Sequence, residues 1–232
     1  GVTDETVVAA VVAALVAAMA ASQLPLLLIR LPEPVEPAEG KPLYADLART
    51  PRLSLWCALV AGVAAGVIGG VLGLAASLPA WIYLSAIGVG LSFIDWRTKL
   101  LPRLIVAPSY GVVAAVLVIA ALATSDWESL LRAGIGLVAT FGIFLLMWLV
   151  YPKGLGYGDV RLAGVLGLAL AWQGWPELVI GLYAAFVFGG IIGGVLSALK
   201  IVDRKGYPFG PFLMFGAWFA VVIGPTVTDW LG

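Results

Sequence analysis

The sequence predicts an all-α, polytopic membrane protein with about eight transmembrane helices. Hydrophobic residues make up 62% of the chain and charged residues only 11%, whereas a soluble domain carries about a quarter charged residues. The apolar residues form runs long enough to cross a bilayer as helices, which takes about 20 residues each. The runs are continuous, unlike the segments of about ten residues with alternating polarity that are typical of a membrane β-barrel.

The first apolar run covers residues 6–29 and is predicted to be a retained transmembrane helix; the alternative is cleavage after its alanine-rich part. It begins with Asp4 and Glu5, whereas a cleaved signal peptide begins with a basic segment. Residues 30–53 are polar and rich in proline, which argues against a continuous helix and predicts a short loop. Seven further apolar runs complete the predicted set, at residues 54–76, 79–95, 104–124, 129–150, 159–175, 177–199 and 210–231.

The basic residues predict the orientation of these spans, because cytoplasmic loops carry an excess of Lys and Arg. If the N-terminus is outside, every one of the 13 basic residues except Arg132 lies on the cytoplasmic side. An even number of spans then puts both termini on the extracytoplasmic side. The weakest predicted span is 159–175, because it begins inside a glycine-rich turn and contains Arg161.

Closely spaced glycines occur in two of the runs, 54–76 and 177–199. Such spacing lets helix backbones approach closely in lipid, so both runs are predicted to make close helix contacts; the alternative is a conduction path. The glycines are Gly62, Gly66, Gly69, Gly70, Gly73, Gly189, Gly190, Gly193 and Gly194.

Two aspartates lie at the ends of apolar runs, where a carboxylate beside hydrocarbon is costly unless it has a use. Asp95 ends the run 79–95, and Asp159 follows a glycine-rich turn at 153–158 and begins the run 159–175. The predicted orientation puts both at the cytoplasmic side, so we predict that they form one site. The alternatives are a helix cap for Asp159 and interfacial ion pairing for Asp95.

The residue inventory favours carboxylate chemistry. The chain has no histidine and one cysteine, Cys57, which excludes catalytic triads with histidine, zinc sites with histidine and internal disulfides. Two close carboxylates share one proton, so one can activate water while the other polarises a carbonyl. Asp159, at a helix start, is expected to ionise before Asp95. No metal and no cofactor are expected, and no basic stripe with interleaved aromatics suggests nucleic acid.

These motifs resemble those of the type IV prepilin peptidases, a family of Gly-x-Gly-Asp intramembrane aspartyl proteases. Residues 95–102 match an aspartate followed by a short polar stretch and Leu-Pro, and residues 154–162 match a Gly-x-Gly-x-Gly-Asp-x-Arg-Leu motif. Residues 208–213, Pro-Phe-Gly-Pro-Phe-Leu, match an element before the last helix. The resemblance covers about residues 80–220, and Arg103 departs from it, since Asp or Asn commonly follows Leu-Pro there.

The resemblance implies that Asp95 and Asp159 are the catalytic pair. The glycines of the turn before Asp159 are expected to leave room for an extended substrate backbone. The motif residues expected to bind substrate or support the site are Gly156, Gly158, Pro208, Phe209, Gly210 and Pro211. For the proline-rich element the alternative is that it only marks the start of a helix.

The implied protein is a multi-pass protein of the cell (inner) membrane. It would remove the short basic leader of a prepilin, pseudopilin or preflagellin precursor at the cytoplasmic face. Many members also carry a cytoplasmic domain with two Cys-x-x-Cys pairs and N-methylate the product, but residues 30–53 contain no cysteine. The predicted parts are therefore 1–53, a first helix and short cytoplasmic loop without that domain, and 54–232, the transmembrane peptidase domain; methyltransferase activity is not expected.

Three other functions compete with this one. A carboxylate-bearing transporter or proton pathway would need polar groups at several depths in the membrane, whereas the clear acids here lie at one face. A scaffold would use the two aspartates only to anchor helices. A presenilin-like protease would use the same pair of aspartates on different substrates.

Overall fold

The computed structural model describes residues 3–33, 41–152, 154–199 and 208–231, and in these residues all regular structure is α-helical. The helices are α1 (Asp4–Ala21), α2 (Leu24–Arg30), α3 (Tyr44–Ala48), α4 (Leu53–Leu72), α5 (Leu78–Thr98), α6 (Arg103–Thr124), α7 (Trp127–Val150), α8 (Tyr157–Gln173), α9 (Trp175–Ala198) and α10 (Gly210–Leu231). The predicted all-α class is confirmed, while the extracytoplasmic position of both termini stays a prediction. Residues that carried predictions but lie outside the described ranges are Pro34, Pro37, Lys153, Lys200, Arg204 and Lys205.

Seven helical stretches among the described residues are long and apolar enough to cross a membrane. The remaining predicted span, the sixth along the chain at 159–175, is the helix α8, which has 17 residues. Apart from Arg161, every residue of α8 from Asp159 to Trp172 is buried, and the helix packs against α6, α7, α9 and α10. It is therefore a helix surrounded by other helices.

The first predicted helix is broken near its end. Residues Ser22 and Gln23 form a turn between α1 and α2, and the hydroxyl of Ser22 donates a hydrogen bond to the carbonyl of Met19 at 2.7 Å. Pro25 is at the start of α2, where its missing N–H and fixed φ are tolerated. The run predicted as one helix is therefore two helices, and Pro25 lies at the start of the second.

Two compact units divide the chain, residues 1–99 and residues 100–232. In the first unit, α1 packs along α4 and α5, and the glycines of α4 face alanines of α1. A Cβ atom built on Gly69 would lie 2.6 Å from the carbonyl oxygen of Ala9, which is closer than real Cβ atoms come. The predicted close helix contact at run 54–76 is therefore present.

The second glycine-rich run, in α9, meets the prediction only in part. A Cβ on Gly189 would lie 3.0 Å from the ring of Phe209, so this glycine does let another part of the chain approach. Gly190 and Gly194 have no atom of the described residues within 4 Å of such a Cβ. The close-contact prediction is wrong for these two positions.

Arg132 binds the end of α8 from the side of α7. Its Nε donates to the carbonyl of Ala171 at 2.6 Å, and one Nη donates to the carbonyl of Trp172 at 2.7 Å. The same nitrogen donates to the hydroxyl of Ser129 at 2.9 Å. The last carbonyls of a helix have no partner within it, and a cation there also interacts favourably with the helix dipole. Arg132 thus serves α8 as a C-terminal cap.

Asp126 starts α7 and is joined to this network. Its carboxylate accepts a hydrogen bond from the backbone N–H of Ser129 at 3.0 Å, as the N-cap of the helix. The hydrogen bonds from the side chain and backbone of Ser129 lower the pKa of Asp126 below its ordinary value, and Arg132 lowers it further. A carboxyl group with a lowered pKa in the folded protein stabilises the fold above its unfolded pKa, and that contribution is lost as the pH falls through the folded value.

Asp126→Ala is expected to lower the stability of the folded protein by about 1 kcal/mol, because it removes an N-cap. Asp126→Asn keeps an acceptor without a titrating group, so it should lose less stability than the wild type when the pH falls from 6 to about 3. Thermal unfolding in detergent across this pH range measures both effects. Equal acid sensitivity in the wild type and the Asn variant would show that the carboxylate of Asp126 contributes nothing.

Candidate active site

Asp95 lies in the last turn of α5, in the unit 1–99, and is only 4% exposed. The helix continues to Thr98, one turn beyond the predicted end, because the chain leaves it at Lys99 with a left-handed φ of 56°. The N–H of Lys99 donates to the carbonyl of Asp95 at 2.7 Å. The neighbours Trp96 and Arg97 are exposed. The turn therefore buries the carboxylate of Asp95 and exposes the two larger side chains that follow it.

A lysine from the loop reaches the same turn. Lys41 donates through Nζ to the carbonyl of Thr98 at 2.5 Å, and the hydroxyl of Thr98 donates to the carbonyl of Ile94 at 2.8 Å. Burial lowers the pKa of Lys41 below its ordinary value, Lys99 lowers it further, and the carboxylate of Asp95 opposes both. The end of α5 therefore combines a buried acid with a partly buried base.

Asp159 is the third residue of α8, in the unit 100–232, and is 7% exposed. Its Oδ2 accepts a hydrogen bond from the backbone N–H of Gly156 at 3.1 Å, and its own N–H donates to the carbonyl of Gly156 at 3.0 Å. The carboxylate thus binds one of the N–H groups that a helix start leaves without an intrahelical partner. The capping role considered as an alternative is present in the structure, and it is compatible with a chemical role for the same group.

Local packing explains why the positions before Asp159 are glycines. Gly156 has φ −73° and ψ 144°, an ordinary extended conformation, so backbone freedom does not explain it. A Cβ on Gly156 would lie 3.1 Å from Oδ2 of Asp159, and a Cβ on Gly158 would lie 2.8 Å from Cβ of Leu101. These residues are small because the carboxylate and Leu101 occupy the space beside them, which the substrate-based prediction had not considered.

Aromatic groups hold the first turn of α8 in place, and sequence reasoning missed them. The hydroxyl of Tyr110 in α6 donates to the carbonyl of Arg161 at 2.5 Å. The guanidinium carbon of Arg161 lies 4.5 Å from the centre of the Tyr157 ring, which in turn lies 5.1 Å from the ring of Trp148. The only signal in the sequence was the Tyr-x-x-x-Arg spacing, which puts both side chains on one helix face.

Residues 208–211 form the start of α10. Pro208, Phe209 and Gly210 are buried, and the carbonyl of Phe209 accepts hydrogen bonds from the N–H groups at residues 212 and 213. The ring of Phe209 lies 6.4 Å from that of Phe144 and 5.2 Å from that of Phe186. The element therefore begins a helix and packs against α7 and α9. That it lines or supports a catalytic site, Pro211 included, stays a prediction.

The two aspartates belong to different compact units, so their pairing also stays a prediction. What they share is burial and position. Asp95 is in the last turn of one helix, and Asp159 is in the first turn of another. Both are buried carboxylates at helix ends, where an ionisable group beside hydrocarbon is costly unless it has a use.

Comparison with known proteins places both aspartates inside one matched region. A model of the type IV leader peptidase family matches residues 82–197. The chain is 30% identical over 193 residues to the prepilin leader peptidase/N-methyltransferase of Aeromonas hydrophila, covering 79% of this chain and 61% of that protein. It is 29% identical over 211 residues to the protein of that name from Pseudomonas aeruginosa, covering 84% and 70%.

This chain covers a larger share of a shorter relative. The chain is 33% identical over 141 residues to the leader peptidase HopD of Escherichia coli, covering 60% of this chain and 88% of that protein. The chain spans about 61% of the length of the first Aeromonas relative. No solved structure matches the chain.

Proposed function

The chain belongs to the type IV leader peptidase family, and from this we propose that it is an intramembrane aspartyl endopeptidase acting on prepilin-like precursors. It is a multi-pass protein of the inner membrane, with seven helices that can span it among the described residues. The observation that carries the proposal is the burial of Asp95 and Asp159 at helix ends, both inside the region that matches the family.

The proposed reaction uses the two aspartates as a general acid/base pair. The ionised carboxylate takes a proton from a water molecule as that water attacks the scissile carbonyl, and the protonated carboxyl polarises the carbonyl oxygen. The proton then passes to the leaving amine, so the pair returns to its starting state and no metal or cofactor takes part. The backbone N–H of Gly156 donates to Oδ2 of Asp159 and so fixes the carboxylate at the start of α8.

The proposed substrate is a single-span precursor with a short basic leader, cut at the cytoplasmic face. The relatives in Aeromonas and Pseudomonas are named as prepilin leader peptidases, and the predicted orientation puts Asp95 and Asp159 at the cytoplasmic side. Prepilins, pseudopilins and preflagellins all have this layout. The same relatives are named as N-methyltransferases; the proposal for this chain covers the peptidase step.

Purified protein in lipid or detergent, incubated with a prepilin, a pseudopilin and a preflagellin precursor, tests this proposal. Mass spectrometry of the product is expected to find one cut at the leader boundary in at least one precursor. A mass increase of one methyl group, in the presence of S-adenosylmethionine, would add methylation to the function. Ion or proton flux without cleavage of any precursor would favour the transporter alternative and overturn the proposal.

Gly158→Ala is expected to reduce cleavage by about 10- to 100-fold, because a displacement of the order of 1 Å at a catalytic group has effects of that size. The new Cβ would lie 2.8 Å from Cβ of Leu101, and the turn that carries Asp159 must shift to relieve it. Gly154→Ala is the matched control in the same turn. The atoms nearest to its Cβ would be those of the Tyr151 ring, which it would overlap, and this exposed ring can move away. Equal rates for the two variants would contradict the prediction.

A further inference from the structure

Residues 41–48, which we call the strap, belong to the unit 1–99. They contain α3, which packs against α2, and Lys41, which reaches the end of α5. Both oxygens of the Glu33 carboxylate accept hydrogen bonds at 2.9 Å, from the backbone N–H groups of Tyr44 and Ala45, and so begin the short helix α3. At the start of the strap, Lys41 donates to the carbonyl of Thr98, a residue 57 positions away. The strap is therefore attached both to Glu33, three residues after the end of α2, and to the turn that carries Asp95.

The last turn of α5 needs donors from outside the helix. The final carbonyls of a helix have no partner within it, and Lys or Arg near a helix C-terminus can bind them and interact with the helix dipole. The chain leaves α5 at Lys99, which has a left-handed φ of 56°. Lys41 is the side chain that reaches the carbonyl of Thr98.

The charge of Lys41 also acts on Asp95. The carboxylate of Asp95 raises the pKa of Lys41, against the larger effect of burial and that of Lys99, so the two groups are electrostatically coupled. Lys41 is partly buried, whereas Arg97 and Lys99 on the turn itself are exposed. Solvent screens exposed charges more than buried ones, so the partial burial of Lys41 favours its electrostatic interaction with Asp95.

We propose that Lys41 is a positioning residue for the cleavage reaction, which holds the last turn of α5 and the Asp95 carboxylate in their working arrangement. This inference rests on the proposed function of Asp95. Lys41 does not contact the reacting atoms in this role. It acts through the hydrogen bond to Thr98 and through its charge beside Asp95, and therefore on the rate of the chemical step rather than on substrate binding.

Steady-state cleavage of a prepilin-like precursor by Lys41→Met, Lys41→Arg and Arg49→Met tests the inference. Lys41→Met is expected to lower kcat by about tenfold with KM within about twofold of wild type, since a poorly positioned catalytic group slows the chemical step. Lys41→Arg keeps a charged donor and should restore most of kcat. Arg49→Met removes an exposed basic residue directly after the strap and should behave as wild type.

The outcomes separate this inference from the proposed function. Normal kcat for Lys41→Met, together with loss of cleavage in Asp95→Asn, would overturn the role of Lys41 and leave the proposed function standing. Cleavage by Asp95→Asn at the wild-type rate would overturn both. A higher KM with unchanged kcat would also overturn the inference, since it would mean that Lys41 binds substrate. If Lys41→Met does not fold, Lys41→Gln decides: a lower kcat than Lys41→Arg supports the inference, and an equal kcat overturns it.

Discussion

Asp159→Asn is expected to fold and to lose cleavage by on the order of 10²–10⁴-fold, the contribution of a general acid or base. The amide oxygen of asparagine can accept the hydrogen bond that Oδ2 of Asp159 now accepts from the N–H of Gly156 at 3.1 Å. The start of α8 therefore keeps its cap, while the side chain at position 159 can no longer take up and release a proton. The variant separates a capping role from a catalytic one at the same residue.

Asp95→Asn is expected to give a loss of the same order, because each carboxylate has its own part in the proposed reaction. The rates of leader removal are measured under single-turnover conditions, with melting temperatures recorded for each variant. Asp126→Asn is the matched control, since the carboxylate of Asp126 also accepts a backbone hydrogen bond at a helix start but has no part in the proposed site. Wild-type rates for Asp159→Asn would mean that its carboxylate only caps α8, and the proposed mechanism would be wrong.

The second large effect is a loss of stability, which we expect from a substitution where α7 and α8 cross. A Cβ on Gly136 would overlap Cβ of Ala171 and lie 2.8 Å from the carbonyl oxygen of Gly167. A Cβ on Gly167 would lie 2.7 Å from the carbonyl oxygen of Gly136, so the two backbones touch at this pair of glycines. Gly136→Ala should therefore destabilise the protein by about 1–3 kcal/mol through overpacking, and displace the helix that carries Asp159.

Gly134→Ala provides the control on the same helix, because a Cβ there meets no atom of the described residues within 4 Å. Alanine favours a helix over glycine by up to about 1 kcal/mol, so this variant should be as stable as the wild type or slightly more stable. Thermal unfolding in detergent measures both, and cleavage rates show whether the displacement reaches Asp159. Two variants of equal stability would show that α7 and α8 adapt to the added methyl group.

The transmembrane spans were predictable because few backbone structures can cross a membrane. Apolar runs marked the helices, and Asp95 and Asp159 stood out because each ended or began such a run. The break after Ala21 and the extra turn of α5 beyond Asp95 were missed, since both depend on local details. One is the position of Pro25 in the first turn of a new helix, and the other is the left-handed conformation of Lys99.

The partners of the site were not predictable, because they come from distant parts of the chain. Lys41 and Thr98 are 57 residues apart, Tyr110 and Arg161 are 51 apart, and no local periodicity connects them. Arg132 is instructive, since it was the one basic residue that did not fit the predicted orientation. Its guanidinium is bound to the end of α8, which gives it a structural reason to be there.

The burial of α8 has a consequence for how the protein enters the membrane during synthesis. A segment is released from the translocon into lipid according to its own affinity for lipid, but α8 is short, includes Asp159 and Arg161, and presents almost all of its surface to other helices. Its stable integration therefore depends on α7, made before it, and on α9 and α10, made after it. We expect that truncation of the nascent chain before α9 leaves α8 poorly inserted, whereas α6 and α7 insert on their own.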